Sequence, residues 1–407
     1  MTRQPQRSVV RTCVAVGVLI LVSGCTGSDA PRGRDAERTT TPGPSTTKET
    51  GPTDPGRRKP APQFRHLLPG MPPVVGRNVY AAADSAAMSA KIAREPAYLY
   101  VPNSYGAPVT TVIDQRTHKV VRRLRTGPLS QHVTPSWDLS TLYAEASAAN
   151  ELVAINPHNG RIAGRISVPR PYNLYFTPDG KQAIVMSEEN NTIIFTTTRR
   201  FKPLATVKSP SCRGPNHADF SANGRFLVVT CEFSGSLLRI STLGHRVTGT
   251  RQLGAGSKPQ DIRLSPDGRT FYVADMGRDR LVRFGWRGLR PVGFTEMPSM
   301  PHGIYPSRDS KFLYVSDRGA GEVSVVSVAS NRIVDTWKVR GGSPDMGGVS
   351  ADGKILWLSG RYNGEVYGWN TKSGRLIARI KVGGDPHGLL VWPQPGRYSL
   401  GHTGNMR

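Results

Sequence analysis

Long apolar runs, cysteines and carboxylates are all scarce in this chain of 407 residues, and each scarcity removes a class of protein. The run from Val14 to Val22 is too short, and is ended too soon by Ser23-Gly24, to cross a membrane as a helix. No Cys-X-X-Cys-His is present to attach haem, and no close-set His/Cys spacing resembles a zinc site. Neither Gly-X-Ser-X-Gly nor an ordered Ser/His/Asp set stands out, so no catalytic residues are assigned. Twenty-nine acidic residues face 54 basic ones, a formal charge of +25, yet no Lys/Arg run is interleaved with aromatics as in a nucleic-acid groove.

The first residues carry Arg3, Arg7 and Arg11, then the short apolar run, then Val22-Ser23-Gly24-Cys25. This is the pattern of an export signal over 1–24, with small residues before Cys25 as in a bacterial lipobox, where cleavage leaves a lipid-modified cysteine. Residues 25–65 are rich in Thr, Pro, Gly, Ser and Arg and cannot bury enough apolar surface to fold, so they read as a tether. The expected address is therefore extracytoplasmic, anchored to the cell membrane. Residues 1–24 hold three Arg and no acid, and 25–65 hold eight basic and five acidic side chains. Residues 66–407 thus keep 43 of the basic and 24 of the acidic residues, a net +19. Such a field favours anionic partners such as envelope polymers, lipid headgroups or nucleic acid, and equally keeps a protein soluble beside an anionic wall. In an oxidising compartment Cys212 and Cys231, which flank one hairpin, are candidates for a disulfide.

A turn recurs at Trp137-Asp138, Asp179-Gly180, Asn223-Gly224, Asp267-Gly268, Asp309-Ser310 and Asp352-Gly353, with spacings of 41, 44, 44, 42 and 43 between the acidic or Asn residues. Short apolar runs lie on both sides each time, the signature of a four-stranded unit repeated radially. The prediction is an all-β chain: a seven-bladed β-propeller over 98–407 with four-stranded antiparallel blades. The first blade, 98–124, lacks an inner strand, and Pro386-His387-Gly388-Leu389-Leu390-Val391 supplies it, so N- and C-terminal strands share one blade. Residues 66–97 form an extension whose Ala-rich stretch 81–94 suggests a short helix packed outside the ring. Residues 397–402 read as a surplus second strand, expected to cap the closing blade.

Three segments, Tyr100-Val101-Pro102-Asn103, Tyr272-Val273-Ala274-Asp275 and Tyr314-Val315-Ser316-Asp317, look like degenerate copies of the tetrapeptide that names the YVTN-type β-propeller repeat family. With runs such as Ser343-Pro344-Asp345-Met346-Gly347-Gly348 and Trp392-Pro393-Gln394-Pro395-Gly396-Arg397-Tyr398, the chain most resembles that family's lipid-anchored envelope branch from actinobacteria. The resemblance implies a seven-bladed propeller outside the cytoplasm, and for some relatives binding of DNA or of surface-layer partners. It implies no shared catalytic residues.

Counting back from each turn places Gln131, Tyr172, Asn216, Gln260, His302, Asp345 and His387 at one level, where the inner strands begin, six of them preceded by Pro. This ring is the candidate binding site at the channel mouth; hydrogen bonding between blades is the competing reading. The loops after the second strands add Glu145, Glu188, Glu232, Asp275, Asp317 and Arg361, either to hold a hard cation or polyhydroxylated ligand or to cap backbone amides. His132 and His217, one residue beyond the ring, join His302 and His387 in leaving a transition metal or haem open, though no cofactor is predicted. The function expected is binding or scaffolding by a monomer at the cell envelope, through a protein or anionic polymer at the mouth. The rivals are a metal-dependent hydrolase or lactonase and a redox protein using the same mouth.

Overall fold

The computed structural model describes residues 61–71, 74 and 76–407. The expected export signal over 1–24, Cys25 and nearly all of the expected tether lie outside the described residues. From Tyr98 onward the chain forms seven four-stranded antiparallel sheets, a seven-bladed propeller. Six blades are built from consecutive strands. The remaining one orders Leu390–Trp392 beside Tyr98–Pro102, so the two ends of the propeller close the ring.

The repeated turn has a repeated cause. In six blades a Ser or Thr hydroxyl donates to the Asx side chain two residues on, from Ser136, Thr177, Ser221, Ser265, Ser307 and Ser350, at 2.6–2.9 Å. The same Asx oxygen accepts the backbone N–H two residues further, as at Lys181 (3.1 Å) and Lys354 (3.1 Å). The residue between sits at positive φ, which is why Gly fills it four times, at φ 67° to 77°. Inner strands therefore run from a loop face, where each begins, to a turn face carrying these turns. Apolar clusters fill the spaces between blades, with Trp357, Trp369 and Trp392 fully buried. Cys212 and Cys231 are joined by a disulfide with Cα atoms 5.2 Å apart.

Two segments outside the blades depart from expectation. The stretch 81–94 is not a helix: only Ala81–Ala83 makes a single 3-10 turn. Asp84 Oδ1 accepts the Ala86 N–H at 2.9 Å and Ser89 Oγ the Lys91 N–H at 3.4 Å, local bonds that compete with helical ones. Instead the extension crosses the turn face, with Val79 N–H donating to the Pro266 carbonyl (2.8 Å) and Asn78 to Ser310 Oγ (3.1 Å).

Residues 397–402 do not cap the closing blade. The segment 399–406 is a tight hairpin pushed into the channel from the turn face, beside the inner strand Asn173–Phe176. Phe176 N–H donates to Leu400 O (3.0 Å) and His402 N–H to Leu174 O (2.9 Å). Gly401, at φ 110°, allows this approach, because a Cβ there would run into the Leu174 carbonyl. Asn405 and Arg407 both donate to buried Asp219 at 3.0 Å, and the Arg407 guanidinium lies 4.6 Å from the centre of the Tyr80 ring in the extension. Extension and hairpin together close the turn-face end of the channel.

Candidate functional site in the channel

Inner strands pair with their neighbours through an irregularity placed alike in five blades, between Ser130/Val133, Pro215/Ala218, Pro259/Ile262, Pro301/Ile304 and Pro344/Gly347. Simple strand alternation would send Gln131 and His132 to opposite faces. The bulge re-aims the strand so that both contribute to the channel.

The predicted ring residues are nearly all buried and bond mostly to one another. Gln131 Oε1 lies 2.9 Å from Ser104 Oγ and 3.1 Å from His387 Nδ1, so the last nitrogen donates. Asn216 donates to Glu232 (3.3 Å) and Gln260 (3.4 Å) and accepts from Thr230 Oγ1 (2.6 Å). This part of the ring is a blade-to-blade hydrogen-bond network. Asp345 lies 3.2 Å from the Arg318 guanidinium, 3.7 Å from that of Arg361 and 3.1 Å from His302 Nδ1. Burial pushes the Asp345 carboxyl up while the two arginines pull it down.

Of the loop carboxylates, three do not reach the mouth. Glu145 is fully buried in its blade beside Thr134, and burial holds its carboxyl well above the usual range. Asp275 accepts from Ser257 Oγ and from the Lys258 N–H (2.8 Å), and Asp317 from Ser324 Oγ (2.6 Å). These last two are capping contacts. Glu188 and Glu232 are half-buried. Burial, and then the charge of Glu232, pushes Glu188 up to about 8.

In and beneath the ring, five of the nine histidines converge. His132, His217 and His402 offer ligand atoms that all lie within 4.8 Å of one another, and so, separately, do His302, Asp345 and His387. The two sets adjoin: the rings of His132 and His387 are 4.8 Å apart and those of His217 and His302 6.0 Å. Burial drives His132 down to about 4 and the other four well below the ordinary value, so all are neutral imidazoles at neutral pH. His132 Nδ1 sits 2.8 Å from the Tyr172 carbonyl, which fixes the proton on Nδ1 and leaves Nε2 with its lone pair. His132 Nε2, both ring nitrogens of His217 and His402 Nε2 are buried with no hydrogen-bond partner among the described residues. His402 was missed by sequence reasoning because it lies outside the repeat, and only the inserted hairpin brings it to the channel.

A family model described as a YNCE-like beta-propeller matches residues 70–396, and the chain belongs to that family. No curated protein matches the sequence. Among solved structures, it is similar to a functionally unknown protein from Desulfotomaculum acetoxidans DSM 771, with 15% identity, 72% of this chain and 98% of that one covered, and a TM-score of 0.61. It is also similar to a putative 6-phosphogluconolactonase from Bacteroides fragilis NCTC 9343 (15% identity, 73% and 98% covered, TM-score 0.58). A third is hydrazine synthase of Kuenenia stuttgartiensis (18% identity, 73% and 99% covered, TM-score 0.51). At these identities the likeness is one of fold.

Proposed function

We propose that this YNCE-like propeller is a monomeric binding protein of the cell envelope, held to the membrane by a lipid on Cys25 and a tether over 25–65, which meets its partner with the loop face. One observation carries the reading: the turn face is occupied by the chain's own extension and hairpin, whereas the loop face carries three exposed aromatic side chains around the ring. Tyr105, Phe233 and Tyr362 are 61%, 52% and 59% exposed, and the Arg318 guanidinium stands 5.4 Å from the centre of the Tyr362 ring. Aromatics and arginine are the side chains that anchor protein interfaces, and the net +19 of residues 66–407 draws an anionic partner toward them. The ring itself, bonded across blades, sets the spacing of these loops and is not the contact surface. The fold shared with a putative lactonase brings no reaction with it, since Glu145 and Asp317 are buried in their own blades and do not converge across the channel.

The test is photo-crosslinking of the full chain in its native membrane, with the crosslinker at Tyr362 or Phe233 and, as control, at Val334 on an outer strand. Adducts confined to the loop-face positions, weakened by salt, are expected. Equal labelling at Val334, or none at Tyr362 and Phe233, would overturn the assignment.

A further inference from the structure

The binding role uses the loops and leaves the buried histidines without a task. We propose that His132, His217 and His402 form a site for a single transition-metal ion of the zinc or copper class at the closed end of the channel.

The argument begins with unpartnered ring nitrogens. A buried polar atom without a partner is destabilising, and native proteins hold few of them. Four such nitrogens belong to these three side chains. Nitrogens bound at about 2.0–2.1 Å to one tetrahedral ion lie about 3.3–3.5 Å apart. The present spread is within 4.8 Å, so metal binding must draw the rings together by up to about 1.5 Å. His132 donates Nδ1–H to Tyr172 O, which leaves its Nε2 lone pair inward. His402 Nδ1 instead accepts from the Asn173 amide (2.9 Å), so its Nε2 carries the proton, and coordination through Nε2 requires that proton to move to Nδ1 and the Asn173 amide to turn its oxygen toward it. Asp261, whose Oδ1 is 3.3 Å from His402 Nε2, is itself paired with Arg263 at 3.7 Å. An all-imidazole set suits zinc, copper, nickel or iron and excludes calcium and magnesium, which want oxygen. Three protein ligands leave a fourth position open.

The neighbouring set is a poorer claimant. His302 Nδ1 lies between Asp345 Oδ1 (3.1 Å) and Met346 Sδ (2.9 Å), His387 donates to Gln131, and Asp345 is paired with Arg318. A hairpin needed only to plug the channel would serve with an apolar tip. This one ends in His402, anchored by the Arg407–Asp219 pair.

The full chain, stripped with chelator, should be titrated with Zn(II) and with Co(II), metal content read after desalting and cobalt by its visible spectrum. About one ion per chain and a four-coordinate, nitrogen-rich cobalt spectrum are expected. His217→Gln and His402→Gln should each weaken binding on the order of a hundredfold or more. His245→Gln, whose native side chain bonds Gln182 away from the channel, should bind as wild type. Circular dichroism checks that each variant is folded, and the pair of variants guards against one failing to fold. Failure of the folded wild-type chain to retain either metal, or undiminished binding in a folded His217→Gln or His402→Gln chain, would overturn the proposal.

Discussion

The channel holds two sets of potential ligands side by side, and they differ in what their atoms already hold. In His302, Asp345 and His387 the hydrogen-bonding capacity is largely spent on Arg318, Arg361, Met346 and Gln131. In the other set His132 Nε2 and both nitrogens of His217 have no hydrogen-bond partner among the described residues, and His402 Nε2 faces only Asp261 Oδ1 at 3.3 Å. The residue types are alike and the burial is alike. The first set is therefore best understood as architecture, tying the seventh blade to its neighbours, the sixth and the first, and the second as a place kept for something else. Clustering alone identifies neither; the hydrogen-bond partners of the ring nitrogens separate them.

The comparison is broken most severely through Arg407. This side chain, 1% exposed, neutralises Asp219 and fastens the hairpin that carries His402. Arg407→Ala leaves a buried carboxylate short of its cation, and denaturant unfolding should show a loss of about 3–5 kcal/mol. Metal retention should fall with it although no ligand has been touched. Next comes Arg318→Ala, which strips Asp345 of its 3.2 Å partner while Arg361 remains at 3.7 Å. A loss of about 2–3 kcal/mol is expected, with zinc binding unchanged, because the proposed metal site does not include this set.

A smaller effect concerns charge in the blades. Burial holds Asp317 up at about 8 against an ordinary 3.8, so the folded chain binds a proton that the unfolded chain has released across that range. Stability attributable to this group is fully present below about pH 4, falls as pH rises, and reaches its lowest level above about pH 8. Asp317→Asn removes the titration while keeping a polar partner for Ser324. Melting curves at pH 5 and pH 8 should show the variant gaining on the wild type by about 2 kcal/mol at the higher pH, less than the full shift implies because the interior relaxes around the charge. A difference independent of pH would show that Asp317 is ionised throughout.

The fold was largely legible because its cause is local and repeated: Ser/Thr-X-Asx with a residue at positive φ makes the same turn each time, and the blade count follows from the spacing. The site was legible only in part. Counting one residue per blade gave Gln131, Asn216 and His387, and His132 and His217 one step further along were named with them as possible ligands, although the bulge that turns those two inward leaves no mark on an alternating pattern. His402 and Arg407 lie in a segment without repeat partners, so nothing periodic points to them. The helix expected over 81–94 failed for the opposite reason: alanine content outweighed, on paper, the Asp84 and Ser89 side chains that bond their own backbone.

The smallest expected effect is the most discriminating. If the open nitrogens serve the fold, removing them should cost about what a lost buried hydrogen bond costs, about 1–3 kcal/mol. If they are retained for a ligand, the metal-free fold gains nothing from them, and sites kept for function commonly hold stability below its optimum. His217→Leu keeps most of the side-chain volume and deletes two unpartnered buried nitrogens. In chelator-treated protein its unfolding free energy should lie within about 1 kcal/mol of wild type, or above it. His302→Leu, which removes the Nδ1 held against Asp345 and Met346, should be the more damaging of the two. With saturating zinc the order reverses. The wild type gains binding energy that His217→Leu largely forfeits and His302→Leu keeps, so the crossing of the two series, more than either value alone, tells architecture from site.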